Sequence, residues 1–272
     1  AHRSGSQWKT EVSSDPNERP ALVQPTALLL DFGGVLVDGP VRESWHHEVA
    51  ARFVTHVRAL VGDTVLYGRV VSALQRAEQD AASDVMRHDG NKPWSAAFWR
   101  HYLGGLLPGT GSPPDFALLS RWVSEAKYSE SWVPRPGIGE LLLTAQGMRL
   151  PMAIVSNAVC GQTHRDVVAD AGWAHFFEAE LYSDEVGVRK PDPSIVLMGA
   201  AALGAHPRGC WFIGDSREKD LPAAIGAGCG AAVLMKSSRL EVRCDARPEA
   251  DAYVEGAAQL RDLLVRSVEV IG

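Results

Sequence analysis

Six polar residues stand at, or a few residues beyond, the points where apolar runs of this chain stop. Asp31 ends "TALLLD", Ser156 and Asn157 follow "PMAIV", Lys190 lies in "GVRKPDP", and Asp215 and Asp220 share "GDSREKD". Carboxylates offer hard oxygen ligands to a divalent cation, and a lysine offers a point positive charge to a phosphate. In a parallel sheet such strand ends converge on one edge, where open α/β sheets keep their ligands. Taken singly, each residue has a plainer role. A strand-end Asp caps a turn, Ser156 and Asn157 suit turns, Lys190 suits a solvated surface, and Asp220 suits a helix N-cap. Their succession at strand end after strand end argues for one shared site.

The elements that must position them have two textures. "TALLLDF", "PMAIVSN", "AELYSD", "GCWFIGD" and "AAVLM" are short, nearly unbroken apolar runs, as strands buried on both faces are. Between them, "IGELLLTAQG", "HRDVVADAG", "PSIVLMGAAALG" and "LPAAIGAG" have helical character, several closing on Gly, as helix C-termini do. This alternation predicts a doubly wound α/β core with a parallel sheet. Around Lys190, Pro191 favours an extended residue before it, and Asp192-Pro193 is expected as N-cap and first helical residue.

Residues 40–133 differ. Trp45, Val49, Phe53, Val57 and Leu60 form a helical stripe, Val70, Leu74, Ala77, Ala81 and Val85 a second, and Phe116, Leu119, Val123 and Ala126 a third. "PWSAAFWRHYL" is expected to open a helix on its Pro, and "GGLLPGTGSPP" to be a loop. A helical insert therefore interrupts the core after its first strand. Its tryptophans, Trp45, Trp94, Trp99, Trp122 and Trp132, are expected in packing rather than in a substrate pocket.

Composition narrows the class. The 272 residues are 46% hydrophobic and 22% charged, with a formal net charge of −6, which suits a soluble globular protein and not a nucleic-acid binder. No apolar run approaches the roughly 18 residues of a membrane span. Cys160, Cys210, Cys229 and Cys244 match no zinc spacing, so a reduced, cytoplasmic protein is expected. Residues 1–23, polar and rich in Ser and Pro, are expected to be a disordered leader.

The ordered set resembles the haloacid dehalogenase-like hydrolase superfamily (HAD), phosphatase type with a helical C1 cap. It comprises a strand-end Asp followed by Gly-Val-Leu, a Ser after a strand, a Lys before Pro and a Gly-Asp-x4-Asp, and extends over residue 26 to about 265. The resemblance implies a Rossmann-like α/β catalytic core at 24–39 and 134–272, with an α-helical cap at 40–133. It implies an Mg²⁺-dependent phosphatase of a small phosphorylated metabolite; a monomer or homodimer is expected, and the charge and apolar runs above point to no nucleic-acid or membrane partner. Asp31 would be the nucleophile, forming an aspartyl-phosphate. Asp31, Asp215 and the main-chain carbonyl of Gly33 would hold the metal. Ser156, Asn157 and Lys190 would bind phosphoryl oxygens, and Asp220 would hold metal-bound water or orient Lys190.

One departure stands out within "LLLDFGGVLVD". Phosphatases of this superfamily carry a second Asp two residues after the first, as general acid and base, where this chain has Gly33. Three readings follow. The chain is a phosphatase, either with a substrate whose leaving group needs little protonation or with an acid from the cap, His46 or His47 being the candidate. It is a catalytically silent phosphate- or partner-binding protein. Or it is a dehalogenase-type hydrolase, whose halide leaves without a proton. The superfamily's dehalogenases typically lack the Asp found here at 215 and carry an aromatic where this chain has Gly33, which ranks the dehalogenase last.

Overall fold

The computed structural model describes residues 22–61, 65–82, 94–107, 114–128, 132–238 and 249–269. The apolar runs form the parallel strands β1 (Ala27–Leu30), β4 (Met152–Ser156), β5 (Ala179–Tyr182), β6 (Cys210–Gly214) and β7 (Ala231–Met235). A sixth strand that the sequence did not announce, β8 (Ala252–Val254), joins them in the order β5-β4-β1-β6-β7-β8. The chain winds outward from β1 through β4 to β5, then returns to β6 on the other side of β1. That is the doubly wound order, and it opens a crevice at the carboxyl ends of β1 and β6.

The runs lack polar alternation because both faces of the sheet are covered. Leu28, Leu30, Ile154 and Ile213 pack with Ile138 and Leu142 of α5 (Ile138–Gly147) and Leu260 and Leu264 of α10 (Ala257–Glu269). Ala27, Leu29, Val155 and Phe212 pack with Ile195 and Val196 of α8 (Ser194–Ala202) and Leu221 and Ala224 of α9 (Asp220–Ala227). Helix α6 (Gly161–Asp170) follows β4, and the single turn α7 (Ser183–Val186) follows β5.

Between β1 and β4 lie α1 (Trp45–Val61), α2 (Tyr67–Ala82), α3 (Ala96–Leu103) and α4 (Ala117–Lys127). They bury a cluster of their own, containing Trp45, Phe53, Leu74, Phe98, Trp99 and Val123. Trp45 and Trp99 are fully buried, and the Trp99 indole donates to Ser120 Oγ at 2.8 Å. Truncating either indole to Ala costs about 3–5 kcal/mol. The chain enters and leaves this layer through a two-strand antiparallel ribbon, β2 (Val37–Asp38) against β3 (Val133–Pro134). On the core side α4 packs on α6, with Ser124 hydrogen-bonded to Thr163, and Val159, just beyond β4, joins the helical cluster.

Local starts differ from expectation at three points. Helix α3 opens on Ser95, whose hydroxyl accepts from Phe98 N–H, because a side-chain acceptor there satisfies an orphan amide. Helix α8 begins one residue late, at Ser194, with Asp192 Oδ1 accepting its N–H at 2.8 Å. Gly104–Leu106 forms one 3₁₀ turn within the expected loop. Residues 1–21, Val85, Pro93 and Cys244 lie outside the described residues, as do the side chain of Leu60 and positions 108–113 of that loop.

Candidate active site

Asp31 is the first residue past β1 and Asp215 the first past β6, so the crossover order sets two carboxylates across the crevice. Asp31 N–H donates to Ile213 O at 2.8 Å, extending the ladder by one residue and holding its backbone beside β6. Ser156 closes β4, and Lys190 lies on the loop after α7. All four side chains and Asp220 are buried.

Lys190 Nζ joins the group. It lies 2.7 Å from Asp31 Oδ1 and 2.6 Å from Asp220 Oδ1, and donates to Val155 O at 2.9 Å. Its backbone is held in turn by the Asn157 amide, with Nδ2 donating to Lys190 O and Oδ1 accepting Lys190 N–H, each at 2.9 Å. The Asn157 side chain is thus directed at Lys190 itself. Asp220, at the start of α9, uses its other oxygen to accept the N–H groups of Asp215 at 3.0 Å and Ser216 at 2.9 Å. One carboxylate therefore braces both the lysine and the turn that carries Asp215.

Electrostatics follow from this sharing. Burial pushes the Lys190 ammonium down, but Asp220 and Asp31 outweigh it and hold its pKa above the ordinary lysine range. Burial pushes Asp220 up, and Asp31 adds to that while Lys190 opposes it, so Asp220 ends above its ordinary range. The lysine has gained two anionic neighbours, whereas Asp220 has gained one cation and one further anion. The ion pair stands, and Lys190 is charged.

Asp31, Asp215 and Asp220 each offer an oxygen, and the three lie within 4.8 Å of one another. Lys190 supplies the ammonium among these carboxylates, paired with Asp31 and Asp220. A hard divalent cation suits that oxygen set, and Mg²⁺ in particular takes few protein carboxylates. Asp220 is committed to Lys190 and two amides, so Asp31 and Asp215 are the residues that fit the role of side-chain ligands.

Two contacts at this site were not anticipated. Gly34 has φ +85°, and a Cβ on it would overlap Asp215 Oδ2. The second glycine of "FGG" therefore leaves room for a carboxylate from a strand far along the chain. Ser237, two residues past β7, donates to the same oxygen at 2.7 Å. The Gly-Gly pair was a visible signal for the first contact; a serine after an apolar run was a weak one for the second.

His46 and His47 are engaged within the helical layer. His46 stacks on Trp45, its Nε2 lies 2.9 Å from Glu78 without hydrogen-bond geometry, and burial holds its pKa below the ordinary histidine range. Glu78 also pairs with the buried Lys127. His47 Nδ1 lies 2.9 Å from the Tyr67 hydroxyl.

This architecture, a doubly wound sheet with buried carboxylates and a lysine at its switch point, defines an α/β protein with an enzyme-like crevice. The haloacid dehalogenase-like hydrolase family model matches residues 25–228, and the chain belongs to that family. It is 31% identical over 150 residues to a phosphoserine phosphatase of Thermus thermophilus, covering 54% of this chain and 59% of that protein. It is 30% identical over 95 residues to a glyceraldehyde 3-phosphate phosphatase of Methanopyrus kandleri, covering 35% and 40% respectively. The chain thus spans less than two thirds of either relative. In fold it is similar to CbbY of Rhodobacter sphaeroides, solved with phosphate, at a TM-score of 0.53 and 20% identity over 87% of this chain and 96% of that one.

Proposed function

We propose that this chain is an Mg²⁺-dependent phosphatase acting on a small phosphorylated metabolite, with Asp31 as nucleophile. The observation that carries the reading is the Lys190 ammonium 2.7 Å from Asp31, at a crevice shared with Asp215. The names of the two phosphatase relatives support it.

A carboxylate oxygen of Asp31 attacks phosphorus as the bond to the leaving oxygen breaks, and that leaving oxygen takes its proton from solvent; water then attacks the aspartyl-phosphate at phosphorus, releasing inorganic phosphate and the Asp31 carboxylate. Lys190 faces the charge that gathers on the phosphoryl oxygens, and Ser156 donates to one of them. Asp31 and Asp215, with the main-chain carbonyl of Gly33, would hold Mg²⁺, which when bound would offset phosphate charge. Asp220 and Asn157 keep Lys190 in place. The helices of 40–133 act as a cap over the core of 24–39 and 134–272, with hinges near Gly39-Pro40 and Pro134-Arg135-Pro136. The free thiols of Cys160, Cys210 and Cys229 suit a cytoplasmic setting, and among the described residues no helix is long and apolar enough to cross a membrane.

Phosphate release from a panel of phosphorylated metabolites, with and without Mg²⁺, tests this reading. Release from at least one that needs both Mg²⁺ and Asp31 is expected. Gly33 favours a second reading, a binding protein that retains the cluster without turnover. Tight phosphate binding with no release across the panel would support it instead.

A further inference from the structure

Two adjacent serines past β7 hold two different carboxylates. Ser237 Oγ donates to Asp215 Oδ2 at 2.7 Å. Ser238 holds Asp38, its N–H donating to Oδ2 at 3.1 Å and its hydroxyl to Oδ1 at 2.7 Å. Asp38 is the last residue of β2 and pairs with Val133 of β3. The ribbon through which the chain enters and leaves its helical layer is thus tied, through consecutive residues, to a carboxylate of the acidic cluster.

The tie matters because of how an aspartate is built. Its terminal torsion is broad and two-fold, so the carboxylate plane needs partners to set it. The close approach of Gly34 limits Asp215 Oδ2 from one direction. The Ser237 hydroxyl holds that oxygen by a hydrogen bond to a charged group, one of the stronger kinds. Ser237 is only half-buried and Ser238 is exposed, so packing alone does not fix them. The two bonds from Ser238 to Asp38 supply an anchor. Asp38 itself stands outside the group formed by Asp31, Asp215 and Asp220.

We propose that Ser237 and Ser238 are positioning residues of the cation site. Ser237 sets the carboxylate plane of Asp215, and Ser238 sets Ser237 by anchoring it on Asp38. The inference rests on the proposal that Asp31 and Asp215 bind Mg²⁺, and it makes cation affinity depend on Asp38, which offers no ligand. Such coupling is reciprocal, so a filled site also steadies the ribbon.

Calorimetric titration of the full chain with Mg²⁺ alone tests the proposal without reference to turnover. Ser237→Ala should weaken Mg²⁺ binding by about tenfold, and Ser238→Ala and Asp38→Asn each by about threefold, within the usual range of coupling between sites. The Ser237→Ala/Ser238→Ala double variant should be no weaker than Ser237→Ala, because residues acting through one contact are not additive. Ser237→Thr keeps the hydroxyl and should restore affinity. Circular dichroism without Mg²⁺ checks folding, and Asp38→Asn provides an independent arm. Wild-type affinity in Ser237→Ala, or in both Ser238→Ala and Asp38→Asn, overturns the proposal. If the wild type takes up no Mg²⁺, or Asp215→Asn binds it equally well, the cation reading fails first and the proposal with it.

Discussion

Gly34 and Asp215 meet so closely that the carboxylate oxygen of one occupies the space where the other would carry a Cβ. Gly34 also sits at φ +85°, where a side chain is strained. Replacing it with Ala should cost about 1–2 kcal/mol for the left-handed backbone alone, with the collision added. A denaturant melt should show at least that loss, and Mg²⁺ uptake should fall with it. A Gly34→Ala protein with wild-type stability and metal affinity would show that Asp215 moves aside freely.

Asp31→Asn should abolish phosphate release, since an amide is not a competent nucleophile. Asp215→Asn should instead weaken metal affinity, with activity partly recovered at high Mg²⁺. Steady-state assays over a range of Mg²⁺ separate the two variants. Turnover by Asp31→Asn near the wild-type rate would falsify the nucleophile assignment.

Lys190 is buried between two carboxylates. Lys190→Met leaves Asp31 and Asp220 facing each other without a cation and should cost about 3–5 kcal/mol at neutral pH. The pH dependence has a definite sign. The Lys190 pKa is raised above its ordinary 10.5, so the stability it contributes is complete below that pH and lost as pH rises through the folded value. Urea melts from pH 8 upward should show this alkaline loss in the wild type and not in Lys190→Met.

On the proposed phosphatase reading, Gly33 would leave both half-reactions without their usual proton carrier, but unequally. A sugar-1-phosphate, acyl phosphate or aryl phosphate leaves readily without protonation, whereas water must attack the same aspartyl-phosphate whichever group left. Phosphoenzyme should therefore accumulate, and rapid mixing with a good leaving group should give a burst. Gly33→Asp should speed turnover of alkyl phosphates by about tenfold or more, within the roughly 10²–10⁴ that a placed acid supplies. If His46 or His47 supplies the proton instead, alanine at that position should slow the reaction and Gly33→Asp should do little. No burst and no effect of any of these changes would mean that proton transfer does not limit turnover.

The strands and core helices were legible because burial on both faces leaves a local mark. "MAIV" and "CWFI" are apolar throughout, and the helix over Ile138–Gly147 matches its sequence stretch residue for residue. Strand β8 was missed because "AYV" is three residues long and partly exposed at the sheet edge, too short for any period to register. The ribbon of β2 and β3 was missed for a related reason. Its partners, Val37 with Pro134 and Asp38 with Val133, are joined by pairing across the whole helical layer.

What the sequence determined by itself was the inventory: an Asp past the first strand, a Lys before a Pro, an Asp pair in "GDSREKD", and the α/β class that brings strand ends to one edge. These are local facts of residue type, spacing and periodicity. Only the tertiary structure decided how the inventory is used. It turned Asn157 onto the backbone of Lys190, gave Asp220 both to that lysine and to the Asp215 turn, and set Ser237 and Gly34 against Asp215 Oδ2. It engaged His46 with Trp45 and Glu78, within the helical layer. Each of those assignments joins residues distant in the chain. Which partner a buried polar atom finds depends on the strand order and on the close packing around it, and neither is written in any local stretch.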